Sequence, residues 1–167
     1  LTAGRTKEVV EARWEEVDFE ANTWNIPPER MKAGRAHTVP LSDRCLEILK
    51  GALAASESFE FIFPGKKPGR PLSNMALLMA LRRMGSAVTA HGFRSSFRDW
   101  ASERTNFSRD VCEMALAHAV KNKTEAAYRR GDLLEKRRSL MNAWAAFTTS
   151  SNAKVIPLNA GGKKIGG

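Results

Sequence analysis

Hydrophobic residues gather in three short groups near the start of the chain: Trp14, Val17 and Phe19, then Trp24 and Ile26, then Val39 and Leu41. Aromatic and β-branched side chains suit a pleated surface, and polar stretches at 20–23 and 27–37 separate the groups. The pattern predicts a three-stranded antiparallel meander. Its second connection, residues 28–35, is basic and contains Gly34, so it should project from the sheet edge. Ahead of the sheet, Thr6 is placed to cap a short helix carrying Val9, Val10 and Ala12.

Beyond residue 41 the period lengthens. Ser42 precedes a helix bearing Leu46, Ile48, Leu49 and Leu53, and Phe61-Ile62-Phe63-Pro64 reads as a short buried strand or strap. A Gly/Pro/Lys loop follows at 65–71. The rest reads as helix: 75–84 capped by Ser73, 91–103 by Thr89, 109–117 by Ser108, then 124–130 and 133–147. In the helix after Thr89, Phe93, Phe97, Trp100 and Ala101 form the stripe that buries against a core. We expect an α+β fold, mainly helical with a small three-stranded antiparallel sheet. Residues 1–149 form one domain, and 150–167 form a low-complexity tail that frays or docks through Val155, Ile156 and Leu158.

At 167 residues, 43% hydrophobic and 27% charged, the chain has the composition of a folded globular domain rather than a disordered or fibrous one. Lys and Arg number 27 against 18 Asp and Glu, giving a net charge of +9 and a pI near 10.0, which points to a polyanionic partner such as nucleic acid. No apolar run reaches the roughly 20 residues of a bilayer span, and no secretory signal opens the chain, so no membrane partner is expected and the cytoplasm is the expected compartment. Cys45 and Cys112 are far apart, and His37, His91 and His118 show no ligand spacing. Neither a metal site nor a cofactor is expected.

His91, Arg94 and Arg98 share a second stripe of the helix after Thr89, with His91 where free amides face an anion. That stripe is either a solvated basic face or a phosphate site. Lys32 and Arg35 on the hairpin read alone as solvated charges, Arg5 as the partner of Glu8, and His118 as a dipole-favoured helix end. Tyr128 is the single tyrosine, which alone is an ordinary half-buried aromatic. Lys66, Lys67, Arg70, Arg82 and Arg83 suit non-specific phosphate contact or solubility.

Taken in order, Arg5, Lys32, His91, Arg94, His118 and Tyr128 resemble the active-site series of the tyrosine recombinases, the phage integrase family, and look closest to the catalytic domains of P4-type prophage integrases. Thr2-Ala3-Gly4-Arg5-Thr6-Lys7-Glu8 is similar to the first arginine box, with Glu8 as its supporting carboxylate. Arg30-Met31-Lys32-Ala33-Gly34 is similar to the hairpin lysine, His91-Gly92-Phe93-Arg94 to the His-x-x-Arg box and Leu116-Ala117-His118 to the second histidine box. Many members have Gly where Ala117 stands, and Ala3-Gly4 permutes a usual Gly-x. Members also carry a DNA-binding domain and an opening helical part before the first arginine box, so the chain is expected to be a fragment.

The resemblance implies site-specific recombination of a prophage. The Tyr128 hydroxyl attacks a DNA phosphate, forms a 3′-phosphotyrosyl link and releases a 5′-hydroxyl, without a metal. A tyrosine ionising near pH 10 is only about 0.1% phenolate at neutral pH, a handicap of roughly 4 kcal/mol, so a base is needed, and His91 is the candidate. Arg5 and Arg94 fork onto the phosphate oxygens, Lys32 protonates the leaving oxygen and His118 hydrogen-bonds the phosphate. Arg30, Arg35, Lys66, Lys67, Arg70 and Arg98 are expected to touch DNA. The implied partners are double-stranded attachment sites and other integrase protomers in a tetramer. A catalytically silent DNA-binding module, a type IB topoisomerase-like enzyme and a metal-dependent nuclease using Glu8, Asp18 and Glu20 are the competing readings.

Overall fold

The computed structural model describes residues 1–56, 60–118 and 131–150. Tyr128, the helix expected at 124–130 and tail residues 151–167 lie outside the described residues. The fold is α+β. Strands β1 (Val17–Asp18), β2 (Thr23–Ile26) and β3 (His37–Pro40) form the antiparallel meander in the order β1-β2-β3. The register sets Trp24 opposite both Val17 and Val39, and Ile26 opposite His37. Asp18 builds the first turn by accepting the backbone N–H groups of Glu20 and Ala21 at 2.9 and 2.8 Å.

Trp14 lies in a short 3-10 turn, Trp14–Glu16, rather than in the first strand. The buried Glu16 carboxylate draws the chain round, accepting the Arg13 N–H at 3.2 Å and the Trp24 indole N–H at 2.9 Å. Helix α1 (Thr6–Val10) starts one residue earlier than a Thr6 cap would place it. Arg5 is its N-cap, and Glu8 accepts the Arg5 N–H at 2.7 Å.

Helix α2 (Asp43–Ala54) begins at Ser42, whose hydroxyl accepts the Cys45 N–H at 3.4 Å. It buries Cys45, Leu46 and Leu49 against the sheet, while Ile48 stays 44% exposed. The strap bonds back to the start of the chain, with Ile62 N–H on the Ala12 carbonyl at 2.9 Å and Trp14 N–H on the Glu60 carbonyl at 3.1 Å. Together these residues form a first apolar cluster built on Trp14, Trp24, Ile26, Val39, Leu41, Leu46 and Ile62.

Helices α3 (Ala76–Arg83), α4 (Gly92–Arg104), α5 (Arg109–Ala115) and α6 (Leu134–Thr149) complete the described fold. Thr89 takes up its expected duty, its hydroxyl accepting the Gly92 N–H at 3.2 Å, whereas Ser73 serves α3 through its carbonyl. A second apolar cluster joins Phe97, Trp100, Ala101, Val111, Leu116, Leu140, Met141 and Trp144. Trp144 meets Phe97 edge-on, with ring centroids 5.4 Å apart. Phe93 breaks from the expected stripe. It is 53% exposed because the first turn of α4 overhangs an open groove of about 610 Å³ that it lines with Leu77, Ala80 and Leu81.

Helix α6 serves both clusters. Its apolar face lies in the second, while Arg137 reaches a backbone carbonyl of β3 and Arg138 those of the β1–β2 turn. Arg137, only 2% exposed, donates to the Thr38 carbonyl and to the Asp132 carboxylate at 2.9 Å. Arg138 donates to the carbonyls of Asn22 and Ala21, each at 3.2 Å.

Candidate active site

Where the two clusters meet, charge collects. Glu8, buried on α1, pairs with Arg5 at 2.7 Å through one oxygen and caps the helix with the other, so the Arg5 guanidinium is fixed at the helix start. Arg94, buried on α4, donates one terminal nitrogen to the Ala3 carbonyl and the other to the Leu116 carbonyl at 2.7 Å. The second nitrogen also lies 3.3 Å from His118 Nε2. Burial and then the Arg5 charge pull the Arg94 pKa down, and Glu8 opposes them. Two guanidiniums that disfavour each other in this way, one of them paired with a carboxylate, form a cradle suited to an anion.

Backbone shape aims these groups. Ala3 and Ala117 both have φ near 50°, the left-handed region that costs a residue with a Cβ about 1 kcal/mol or more. Ala3 packs against the helical cluster and Ala117 against the sheet cluster, so each loop leans into the opposite half. Their carbonyls receive arginines in return: Ala3 from Arg94, and Ala117 from Arg5 at 3.5 Å. Helix α5 ends in a Schellman turn, with Ala117 N–H on the Met114 carbonyl and His118 N–H on the Glu113 carbonyl, both at 3.0 Å. That turn lifts His118 over Glu113, whose carboxylate meets His118 Nδ1 at 2.7 Å and Arg98 Nε at 2.8 Å. Burial raises the Glu113 pKa, but the hydrogen bonds from His118 and Arg98 together outweigh it and hold the carboxyl below its ordinary range.

Four of the expected site residues therefore stand in two pairs, Arg5–Glu8 and Arg94–His118, which meet at the end of α5 through the Ala117 and Leu116 carbonyls. His91 stands at the N-cap of α4 with its ring exposed, and its carbonyl accepts the Arg94 N–H at 3.0 Å. Lys32 and Arg35 are exposed on the β2–β3 connection. Lys66, Lys67 and Arg70 line a separate cavity of about 560 Å³ with Phe61 and Ile62. Tyr128 lies outside the described residues.

Two of the residues expected to touch DNA already have partners within the fold. Arg30 turns inward, its side chain 12% exposed, to pair with Glu16 at 2.6 Å and to donate to the Glu8 carbonyl, because two buried acceptors need its charge. Arg98 is committed to Glu113 and, at 2.9 Å, to the Ser102 hydroxyl. Sequence reasoning gave His37 no role and passed over Glu113 and Arg137. His37 lies half-buried at the start of β3, beside the Ala115 backbone. Burial and then the Arg137 charge push its pKa down to about 4, against an upward pull from Glu8. The spacing of Glu113 and His118 about a helix end, with a small residue before the histidine, is the signal that would have found Glu113.

Cys45 and Cys112 are buried free thiols. Among the described residues, no group of three or more His, Cys, Asp or Glu side chains is arranged to hold a metal ion, and no helix is long and apolar enough to cross a membrane.

The model of the phage integrase family matches residues 1–133. Prophage integrase IntA of Escherichia coli (strain K12) is 44% identical over 161 residues, 95% of this chain and 39% of that protein. Prophage integrase IntZ of the same strain is 40% identical over 147 residues, 87% of this chain and 36% of that protein. The integrase of Enterobacteria phage P4 is 33% identical over 176 residues, 95% of this chain and 40% of that protein. The chain thus spans about two fifths of the length of these relatives. No solved structure matches it at a significant level.

Proposed function

The chain belongs to the phage integrase family, and from that premise we propose that it carries out site-specific DNA recombination by metal-independent strand cleavage and rejoining. The observation that carries this reading is the junction of Arg5, Glu8, Arg94 and His118 at the meeting of the two clusters. Its substrates are double-stranded attachment sites of a prophage, and it works in the bacterial cytoplasm as one protomer of a tetramer on DNA.

The Tyr128 oxygen attacks the phosphorus while His91 takes the phenol proton. The bond from phosphorus to the 5′-oxygen breaks, and Lys32 gives that oxygen a proton, so a 3′-phosphotyrosyl link replaces one phosphoester with another. The reverse attack by a 5′-hydroxyl rejoins the strand. Arg5 and Arg94 hold the charge that builds on the non-bridging oxygens, each preorganised donor contributing on the order of 3 kcal/mol, and His118 adds a further contact. The exposed Arg35, Lys66, Lys67 and Arg70 supply sequence-independent phosphate contacts.

The test is covalent capture. The full chain is incubated with a pool of nicked duplex DNA in EDTA and quenched with detergent, and a protein–DNA adduct is expected that Tyr128→Phe abolishes. An adduct that survives in Tyr128→Phe refutes the assignment. Salt-sensitive binding without any adduct marks the chain as a silent DNA-binding module instead.

A further inference from the structure

Arginine has five N–H donors and no acceptor, so the 3.3 Å approach of Arg94 to His118 Nε2 requires a lone pair on that ring nitrogen. The ring proton is then on Nδ1, where the Glu113 carboxylate lies 2.7 Å away to accept it. Which nitrogen of an imidazole carries the proton is set by the bond the other makes. The backbone leaves this pair little freedom, because the Schellman turn fixes His118 N–H on the Glu113 carbonyl at 3.0 Å. The two residues that such a turn brings together commonly share an apolar contact, and here they share a charge-assisted hydrogen bond. Arg98 holds the other carboxylate oxygen at 2.8 Å, so Glu113 is steadied from both sides.

We propose that Glu113 is a positioning residue for the phosphate site: it accepts the Nδ1 proton of His118 and so turns Nε2 toward Arg94, where the ring takes up a second proton when a phosphate binds and donates it to a phosphate oxygen. Without that acceptor the ring is free to turn over and to place its proton on Nε2, directly against the Arg94 donor. The proposal rests on the recombinase reading only for its effect on DNA cleavage; the tautomer is a property of the protein alone.

The experiment therefore has two arms. In the first, long-range ¹H–¹⁵N correlation spectra of the ¹⁵N-labelled full chain report the proton position of each imidazole at mildly alkaline pH, with His118 assigned through His118→Gln. His118 is expected in the Nδ1–H form, retained in Glu113→Gln, whose amide oxygen still accepts, and lost in Glu113→Ala. An Nε2–H ring in the unmodified chain, or a tautomer unmoved by Glu113→Ala in a variant whose spectrum remains folded, overturns the proposal. In the second arm, adduct yield on the nicked DNA pool falls by about tenfold or more in Glu113→Ala and returns to within about threefold in Glu113→Gln, the range seen when a group that orients a reacting ligand is removed. Glu113→Gln that keeps the tautomer yet is as inactive as Glu113→Ala also overturns it, since charge rather than orientation is then what matters. The expected tautomers in a wild-type chain that forms no adduct uphold the assignment of Glu113 to His118 and sink the recombinase reading instead.

Discussion

Helices α3 and α5 end in the same backbone turn, the first on Gly85 and the second on Ala117, both at positive φ. At α3 the Ser86 N–H returns to the Leu81 carbonyl at 2.9 Å and the Gly85 N–H to the Arg82 carbonyl at 3.0 Å, and nothing lies within 4 Å of where a Gly85 Cβ would stand. No side chain of the described residues donates to the last carbonyls of α3. At α5 two successive carbonyls each receive a donor from a different part of the chain, Leu116 from Arg94 and Ala117 from Arg5, with the His37 ring beside Ala115. One turn ends a helix in solvent. The other is a socket that gathers β3, α4 and the start of α1, and it keeps an alanine where glycine would be less strained.

The comparison breaks most visibly at Arg94. Arg94→Ala removes a donor from the α5 socket and from the proposed phosphate cradle together, so adduct yield should fall by about 10²- to 10³-fold, read by gel after detergent quench. A loss of less than about threefold would show that the socket is only architectural.

Acid should distinguish the two turns next. The fold holds His37 neutral, with its pKa down at about 4, while the unfolded imidazole takes a proton near pH 6.5. Stability from this residue is therefore fully present above about pH 6.5 and drains away as pH falls toward about 4, by at most about 1.4 kcal/mol per pH unit. Denaturant melts at pH 7 and pH 5 should show a loss of up to about 2 kcal/mol that His37→Gln largely removes. An equal loss in both proteins would place the acid sensitivity elsewhere.

The two turn residues give the smallest and most direct contrast. Gly85→Ala should cost about 1 kcal/mol, all of it backbone strain because the surrounding space is open. Ala117→Gly should add about 0.5 kcal/mol by relieving the same strain, less the greater freedom of glycine in the unfolded chain. Thermal melts measure both, and the same sign for the two changes would mean that contacts rather than φ govern these positions.

Periodicity made the apolar halves legible. The Trp24–Val39 pairing, the Ser42 cap and the Phe97–Trp144 contact all express local spacing or plain burial. The socket is different in kind. The Arg94–Ala3 and Arg5–Ala117 bonds join residues 91 and 112 positions apart, and no local pattern announces which carbonyl a distant guanidinium will find. The Arg30 pairing was hidden for the same reason: on a basic hairpin the residue reads as a DNA contact, and nothing local shows the buried Glu16 it pairs with. Phe93 obeyed the helical period but lay one turn too near the open end of its helix. The motif order, rather than any physical pattern, is what pointed to Arg5, Arg94 and His118.

Helix α6 belongs to two societies at once, its tryptophan seated among the helices and its paired arginines hooked on β3 and on the turn between β1 and β2. Loosening it strips support from both, so neither half keeps an independent refuge when the other gives way. The amides of β2 and of α4 should then exchange with solvent through one shared opening, and the molecule should come apart as a single cooperative unit.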